Sequence, residues 1–363
     1  METYYCIALN KIEGVGRATL KRILTVAGSA RNVFEQPDSW RKKLQSGKRF
    51  QVEIKLTDAI RKAVDEEMSY MDKYHIQLCH YLDHAYPARL KRCPDAPLMF
   101  YYMGNGDFQR PRVLAVVGTR NATAYGIRSL TKILEEMKES NIVTVSGLAY
   151  GIDTAAHEAS LNLGMPTQAV MGCGLGTIYP SSNRALAASI LEHGGTLISE
   201  FDFTTGPDRM NFPARNRIIA GMADAVLVAE SGLKGGSIIT AHIASSYNRD
   251  IFAIPGTIFD ERHEGCHELI RKNLAAIATS GKDILEMTNW DTAPKNIQTE
   301  LFPDLSEEEE KIYRFILQGR KTIDEISEHC PEHSPSKLAG LLLTMELKGV
   351  IFALPGKSYS TEM

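Results

Sequence analysis

Three arginines, two asparagines and a phenylalanine share one short stretch, Arg209-Met-Asn-Phe212-Pro-Ala-Arg215-Asn216-Arg217, with no carboxylate or nucleophile among them. Guanidinium forks suit phosphate, and an exposed aromatic ring suits a stacked nucleobase. The competing reading is a solvated helix start with Phe212 buried as a staple. Arg215 and Arg217 stand two apart and face different ways on a helix, so one of them serves the structure.

Three further stretches offer related chemistry. In Gly118-Thr119-Arg120-Asn121 a glycine permits close backbone approach, and Thr119 and Arg120 then supply donors. In SGLAYGID, Ser146 and Gly147 open a turn and Asp153 is placed to cap the next helix. Lys234-Gly235-Gly236-Ser237-Ile-Ile-Thr240 sets free amides at a helix N-terminus beside a lysine, which invites an anion.

A fourth glycine stretch, QAVMGCGLGTIYP, looks at first like a dinucleotide fingerprint. Its spacing is G-x-G-x-G, however, and Tyr179-Pro180 interrupts the chain before a helix can begin. Glu200 closes the next run about where a ribose-binding acid would sit. Gly172, Gly174 and Gly176 either bring backbone close to a phosphate or pack a turn, and no cofactor is expected. Tyr179 offers an aromatic face, and Asn183 an amide or a helix cap.

Other chemistries fit poorly. The chain has no G-x-x-x-x-G-K-[ST] phosphate loop and no H-E-x-x-H. His263, Cys266 and His267 lack a further ligand, so no metal is expected. Ser146, His157 and Asp153 could be written as a triad, but His157 falls one turn from Asp153 on the same helix. A cap and a core histidine account for them better.

The loops need a frame, and the middle of the chain supplies it. Apolar runs RVLAVVG, NIVTVSG, PTQAVMG, GTLISE, DAVLVAE and DIFAIPG alternate with helix-like segments. Their continuous apolar character predicts strands buried on both faces. The fold class is α/β, a doubly wound, mostly parallel Rossmann-like sheet over about residues 105–285, with ligands expected outside the carboxyl ends of the strands. Residues 5–24, YCIALNKIEGVGRATLKRIL, resemble a helix-hairpin-helix, which either grips a DNA phosphate or is a tight turn in a helical bundle. The tail orders its elements as a winged helix, but offers Lys337 and Lys348 as the cations near its second helix. A protein-interaction or weak DNA role is expected of it. The expected domains are 1–75, helical; 76–290, sheet; 291–305, linker; and 306–363, winged helix.

With 44% hydrophobic and 23% charged residues and a net charge of −3, the composition is that of an ordinary globular protein. A nucleic-acid partner then requires a local basic stripe. Six scattered cysteines without a C-x-x-C pair fit reduced thiols. The start lacks a signal-peptide pattern, and no run reaches the ~20 apolar residues of a membrane helix. No membrane insertion and a cytoplasmic location are expected.

Taken together, GTR, SGLAYGIDTAAHEASL, GCGLGTIYPSSN, FPARNRIIAGM, KGGSIITA and DIFAIPG resemble the DNA-processing protein A (DprA/Smf) family across most of residues 80–280. The family often carries a sterile-alpha-motif-like or helix-hairpin-helix domain before the sheet and a winged helix after it. The resemblance implies a non-enzymatic homodimer that binds and protects incoming single-stranded DNA and loads the RecA recombinase. It carries DNA contact onto Arg120, Arg209, Phe212, Arg215, Asn216 and Arg217, with Gly147 and the turn from Gly236 to Thr240. One departure is Gly265-Cys266-His267-Glu268-Leu269-Ile270, where many members show G-T-N-x-L-I. The rival from another class is a Rossmann-like nucleotide hydrolase or phosphoribohydrolase, whose catalytic glutamate would fall where Pro180 stands. A third reading is a transcriptional regulator driven by the winged helix.

Overall fold

Every apolar run named above becomes a strand. The computed structural model describes residues 1–44, 54–290, 305–317, 319–348, 350–354 and 358–361. Residues 1–291 form one compact unit and residues 292–363 a second. The expected linker, apart from its last residue, lies outside the described residues.

The first unit is built on a nine-stranded sheet. Its strands are β1 (Gln77–His80), β2 (Met99–Gly104), β3 (Val113–Gly118), β4 (Val143–Ser146), β5 (Thr167–Met171), β6 (Thr196–Ser199), β7 (Ala225–Glu230), β8 (Asp250–Ala253) and β9 (Ala276–Ile277). They lie in the order β1-β2-β6-β5-β4-β3-β7-β8-β9. From β6 to β9 neighbours run parallel; β2 joins β6 antiparallel, and β1 joins β2 likewise. All residues of β4, β5, β6 and β7 are buried, as their unbroken apolar character requires. Strand order reverses between β3 and β7, the switch point at which loops part and leave a crevice.

Helices Glu2–Asn10, Arg17–Ala27, Ala30–Glu35, Pro37–Leu44 and Asp58–Tyr74 precede the sheet. Their Ile7, Leu9, Leu20 and Leu24 belong to one hydrophobic cluster with Met99 and Tyr101 of β2, Ala169 and Met171 of β5, and Leu197 of β6. The hairpin between the first two helices turns at Gly14, whose φ of 76° favours glycine. Three of its cations reach residues of the sheet region: Lys11 pairs with Asp202 at 2.7 Å, Arg17 with Glu200 at 2.7 Å, and Lys21 donates to the Pro94 carbonyl at 2.8 Å. These contacts dock the bundle on the sheet.

In the second unit, helices Glu307–Ile316, Ile323–His329 and Pro335–Leu347 combine with strands Lys321–Thr322, Phe352–Leu354 and Ser358–Ser360. This is the element order of a winged helix. Ile312, Ile316, Ile326, Leu338, Leu342 and Met345 form its core. Lys337 pairs with Glu308 at 2.6 Å and Lys348 with Glu309 at 2.7 Å, so both lysines near the second helix of the pair are engaged by the acidic first helix.

Candidate nucleic-acid interface

The crevice at the switch point opens beyond the ends of β3 and β7, with Val117 and Gly118 of β3 in its wall. The Thr119 amide donates to the Glu230 carbonyl at 2.7 Å, and the Ile152 amide donates to the Thr119 carbonyl at 3.1 Å. The turn after β3 is thereby fixed, and Arg120 stands exposed at its tip. Its guanidinium carbon lies 5.3 Å from the centre of the Phe212 ring, within cation–π range.

Phe212 stands in the first turn of the helix Asn211–Met222. Its half-buried ring lies against Gly172, where a Cβ would come within 2.7 Å of Cδ1. Tyr179 meets the same ring at a centroid distance of 5.5 Å. The amides of Gly174 and Gly176 donate to the carbonyls of Thr205 (2.8 Å) and Phe203 (3.1 Å). The glycine stretch thus packs a turn against the loop after β6, one of the two roles open to it above.

Arg215 points under this surface. Its Nη1 donates to the Gly147 carbonyl at 2.5 Å and to the Val170 carbonyl, tying the end of β4 to β5. A side chain at Gly147 would collide with that guanidinium and with Asp153. Burial is the larger influence on both charged partners. It lifts the Asp153 carboxyl above its ordinary range and lowers the Arg215 guanidinium, while their mutual attraction opposes both shifts. His157 is buried with Nδ1 2.7 Å from the Thr167 hydroxyl, and burial pushes its pKa down to about 3.

Arg217 points away from the crevice. It pairs with Glu200 and donates to the Asp95 carbonyl at 2.5 Å. Glu200 also receives Arg17, so the acid at the end of β6 is taken up by two arginines and is not left for a ribose. Ser146 is buried, its hydroxyl donating to the Val116 carbonyl at 2.7 Å.

After β7 the helix Gly236–Ser246 begins. Its first-turn amides lack partners within the helix and carry the positive end of its dipole. Ser237 donates to the Ser231 hydroxyl at 2.7 Å, and Thr240 to the Gly236 carbonyl at 3.3 Å. Lys234 is exposed just ahead of this turn.

These loops enclose a cleft of about 720 Å³. Of the residues chosen from sequence, Gly118, Thr119, Arg120, Arg209, Phe212, Arg215, Asn216, Gly236, Ser237 and Thr240 line it. Gly147 lines an adjoining niche with Tyr150, while Ser146, Arg217 and Lys234 line neither. Asp153 and Tyr179 also line the cleft; the sequence offered the first as a helix cap and the second as an aromatic face. The cleft therefore offers exposed cations at Arg120 and Arg209, helix amides at Gly236, and an aromatic face at Phe212. That set matches a phosphate chain carrying flat bases.

Two of the residues considered for metal have partners of their own. The His267 Nε2 sits 3.0 Å from the Gly256 carbonyl, and the Cys266 thiol lies 3.6 Å from the Val228 carbonyl. Glu2, Cys6 and His80 approach one another, but Glu2 accepts the amides of Ala30 and Arg31, and His80 pairs with Asp83 at 2.8 Å. Among the described residues no helix is long and apolar enough to cross a membrane.

Fold and cleft define a Rossmann-like protein with a basic, aromatic-walled crevice at its switch point. Residues 77–289 match the model of the family described as DNA recombination-mediator protein A, and the chain belongs to that family. It is 44% identical over 204 residues to DNA processing protein DprA of Streptococcus pneumoniae, covering 56% of this chain and 71% of that one. It is 34% identical over 302 residues to protein Smf of Escherichia coli, covering 82% and 80%. The solved Streptococcus pneumoniae DprA superimposes with a TM-score of 0.63 at 33% identity, covering 78% of this chain and 97% of that one. The Helicobacter pylori DNA processing protein A, solved for its single-stranded DNA binding mode, gives a TM-score of 0.54 at 28% identity, covering 60% and 98%.

Proposed function

We propose that this chain binds single-stranded DNA in the cleft between the ends of β3 and β7 and acts in DNA processing during natural transformation or recombination. One observation carries the reading: Arg120, Arg209, Phe212 and the helix start at Gly236, from loops far apart in sequence, line the same 720 Å³ cleft. Arg120, Arg209 and the amides of Gly236 and Ser237 hold phosphates, and Thr119, Asn216 and Thr240 add neutral polar groups. A base stacks on Phe212. Arg215, Arg217, Ser146 and Gly147 support the cleft from beneath, and Lys234 adds to its positive field. Sequestering a strand this way protects it. Membership of a recombination-mediator family extends the reading to loading the RecA recombinase, with the chain working as a homodimer. We read the chain as a binding protein and not a hydrolase, since the carboxylate in the cleft wall, Asp153, is buried under Arg215.

The test is binding of a fluorescent oligothymidine across a salt series to wild type, Arg120→Ala, Arg209→Ala and Phe212→Ala. Log affinity is expected to fall linearly with log salt, and each arginine variant to flatten the slope by about 0.7 for every phosphate it no longer neutralises. Phe212→Ala is expected to lose ~1–3 kcal/mol with the slope unchanged. A folded wild type that binds no oligonucleotide refutes the reading.

A further inference from the structure

Two tyrosines beside the cleft are exposed. Tyr150 is 49% exposed and Tyr179 is 41% exposed, although buried residues stand close by in the chain, Leu148 and Ile152 around the first and Pro180 beside the second. A ring left half in water forgoes much of the stabilisation that burial would bring. Tyr179 lines both the cleft and the adjoining niche, as do Arg120 and Phe212, whereas Tyr150 lines the niche alone. The niche is therefore continuous with one flank of the cleft and shares its cationic and aromatic wall. Its own enclosed space is too small for a base, about 10 Å³, so the rings offer outward faces and not a pocket.

We propose that Tyr179 and Tyr150 form an aromatic track on which the bases of a single strand stack as it leaves the cleft over the Arg120–Phe212 wall. The inference rests on the cleft being a single-strand site, and it adds an exit side and a longer footprint to it. The partner chemistry follows from the shared wall. Arg120 supplies a cation for the backbone at the point of exit, and rings at the surface beyond it accept flat faces of any base. An aromatic track is sequence-tolerant and insensitive to salt, whereas the cleft's arginines are salt-sensitive.

The experiment compares an oligothymidine of about 4 nucleotides, enough for the cleft, with one of about 16 that can run beyond it. Each is titrated by fluorescence anisotropy into wild type, Tyr150→Ala, Tyr150→Phe, Tyr179→Ala and Tyr179→Phe. The readout is the ratio of long to short affinity. In the alanine variants that ratio is expected to fall about fivefold or more, at an unchanged salt slope, and in the phenylalanine variants to hold. A ratio that stays at the wild-type value in Tyr150→Ala and Tyr179→Ala overturns the track while leaving the cleft intact. A loss that phenylalanine does not restore overturns stacking in favour of hydroxyl contacts. Wild type that binds neither oligonucleotide sinks the cleft reading and the track with it.

Discussion

Replacing Arg215 by alanine separates a residue that touches DNA from one that builds the cleft. The family resemblance places Arg215 on DNA, yet the residue is 4% exposed and donates to the Gly147 and Val170 carbonyls. Two charge-assisted hydrogen bonds to buried acceptors are worth about 1.5–3 kcal/mol each. Asp153 would also be left buried without its cation, and removing one partner of a buried pair costs about 3–5 kcal/mol. These contributions overlap, so the expected loss is about 3–5 kcal/mol. For a unit of this size, at about 2–4 °C per kcal/mol, the melting temperature should drop by roughly 6–20 °C. Differential scanning calorimetry without DNA measures this, and the double variant Arg215→Met, Asp153→Asn should recover part of the loss because no orphan charge remains. A variant that melts within about 2 °C of wild type while losing DNA affinity would refute the structural assignment and turn Arg215 toward the ligand.

Two other outcomes follow from the same geometry. Gly172→Ala forces the Phe212 ring aside and should weaken oligothymidine binding by no more than Phe212→Ala does, about 1–3 kcal/mol, with the double variant no weaker than Phe212→Ala; additive losses would show that the two do not act through one ring. His157, neutral in the fold with a pKa near 3 against an unfolded value of about 6.5, leaves the unfolded chain with more bound protons between those limits. Stability should therefore be full above about pH 6.5 and fall by up to ~1.4 kcal/mol per unit below it, and His157→Gln should flatten that slope in denaturant melts from pH 7 to 5.

The parallel core was legible because strands covered on both faces need unbroken apolar runs, as RVLAVVG and DAVLVAE are. Gln77–His80 was not legible as a strand: it is short, mixed in character and paired on one side, so nothing local separates it from a connector. The loops of the cleft were legible through glycine and arginine, but residue type says nothing about direction. Arg209 is exposed while Arg215 and Arg217 are both buried, because the helix Asn211–Met222 is covered on two sides. One side meets the ends of β4 and β5; the other meets the Asp95 segment and Glu200. The spacing of Arg215 and Arg217 indicated that one would be structural; packing makes both so. Tyr150 is hard to single out by sequence because it stands within SGLAYGID, where the glycines carry the stronger signal.

The docking of the first helices on the sheet sets a clock. The Lys11–Asp202 pair spans 191 residues, and Glu67 receives the Phe203 amide across 136. Phe203 also stacks between Tyr70 and Tyr74, at 4.4 and 4.8 Å. None of these partners exists while the amino-terminal helices are being made. At about 5–20 residues per second, roughly 10–40 s separate the synthesis of Lys11 from that of Asp202. Through that interval the face carrying Leu20 and Leu24 lacks β5 and β6, the strands that complete its cluster. Nascent helices held open that long are exposed to wrong partners, and the late arrival of the residue 200–206 loop closes the bundle and shapes the floor beneath Phe212 in the same event.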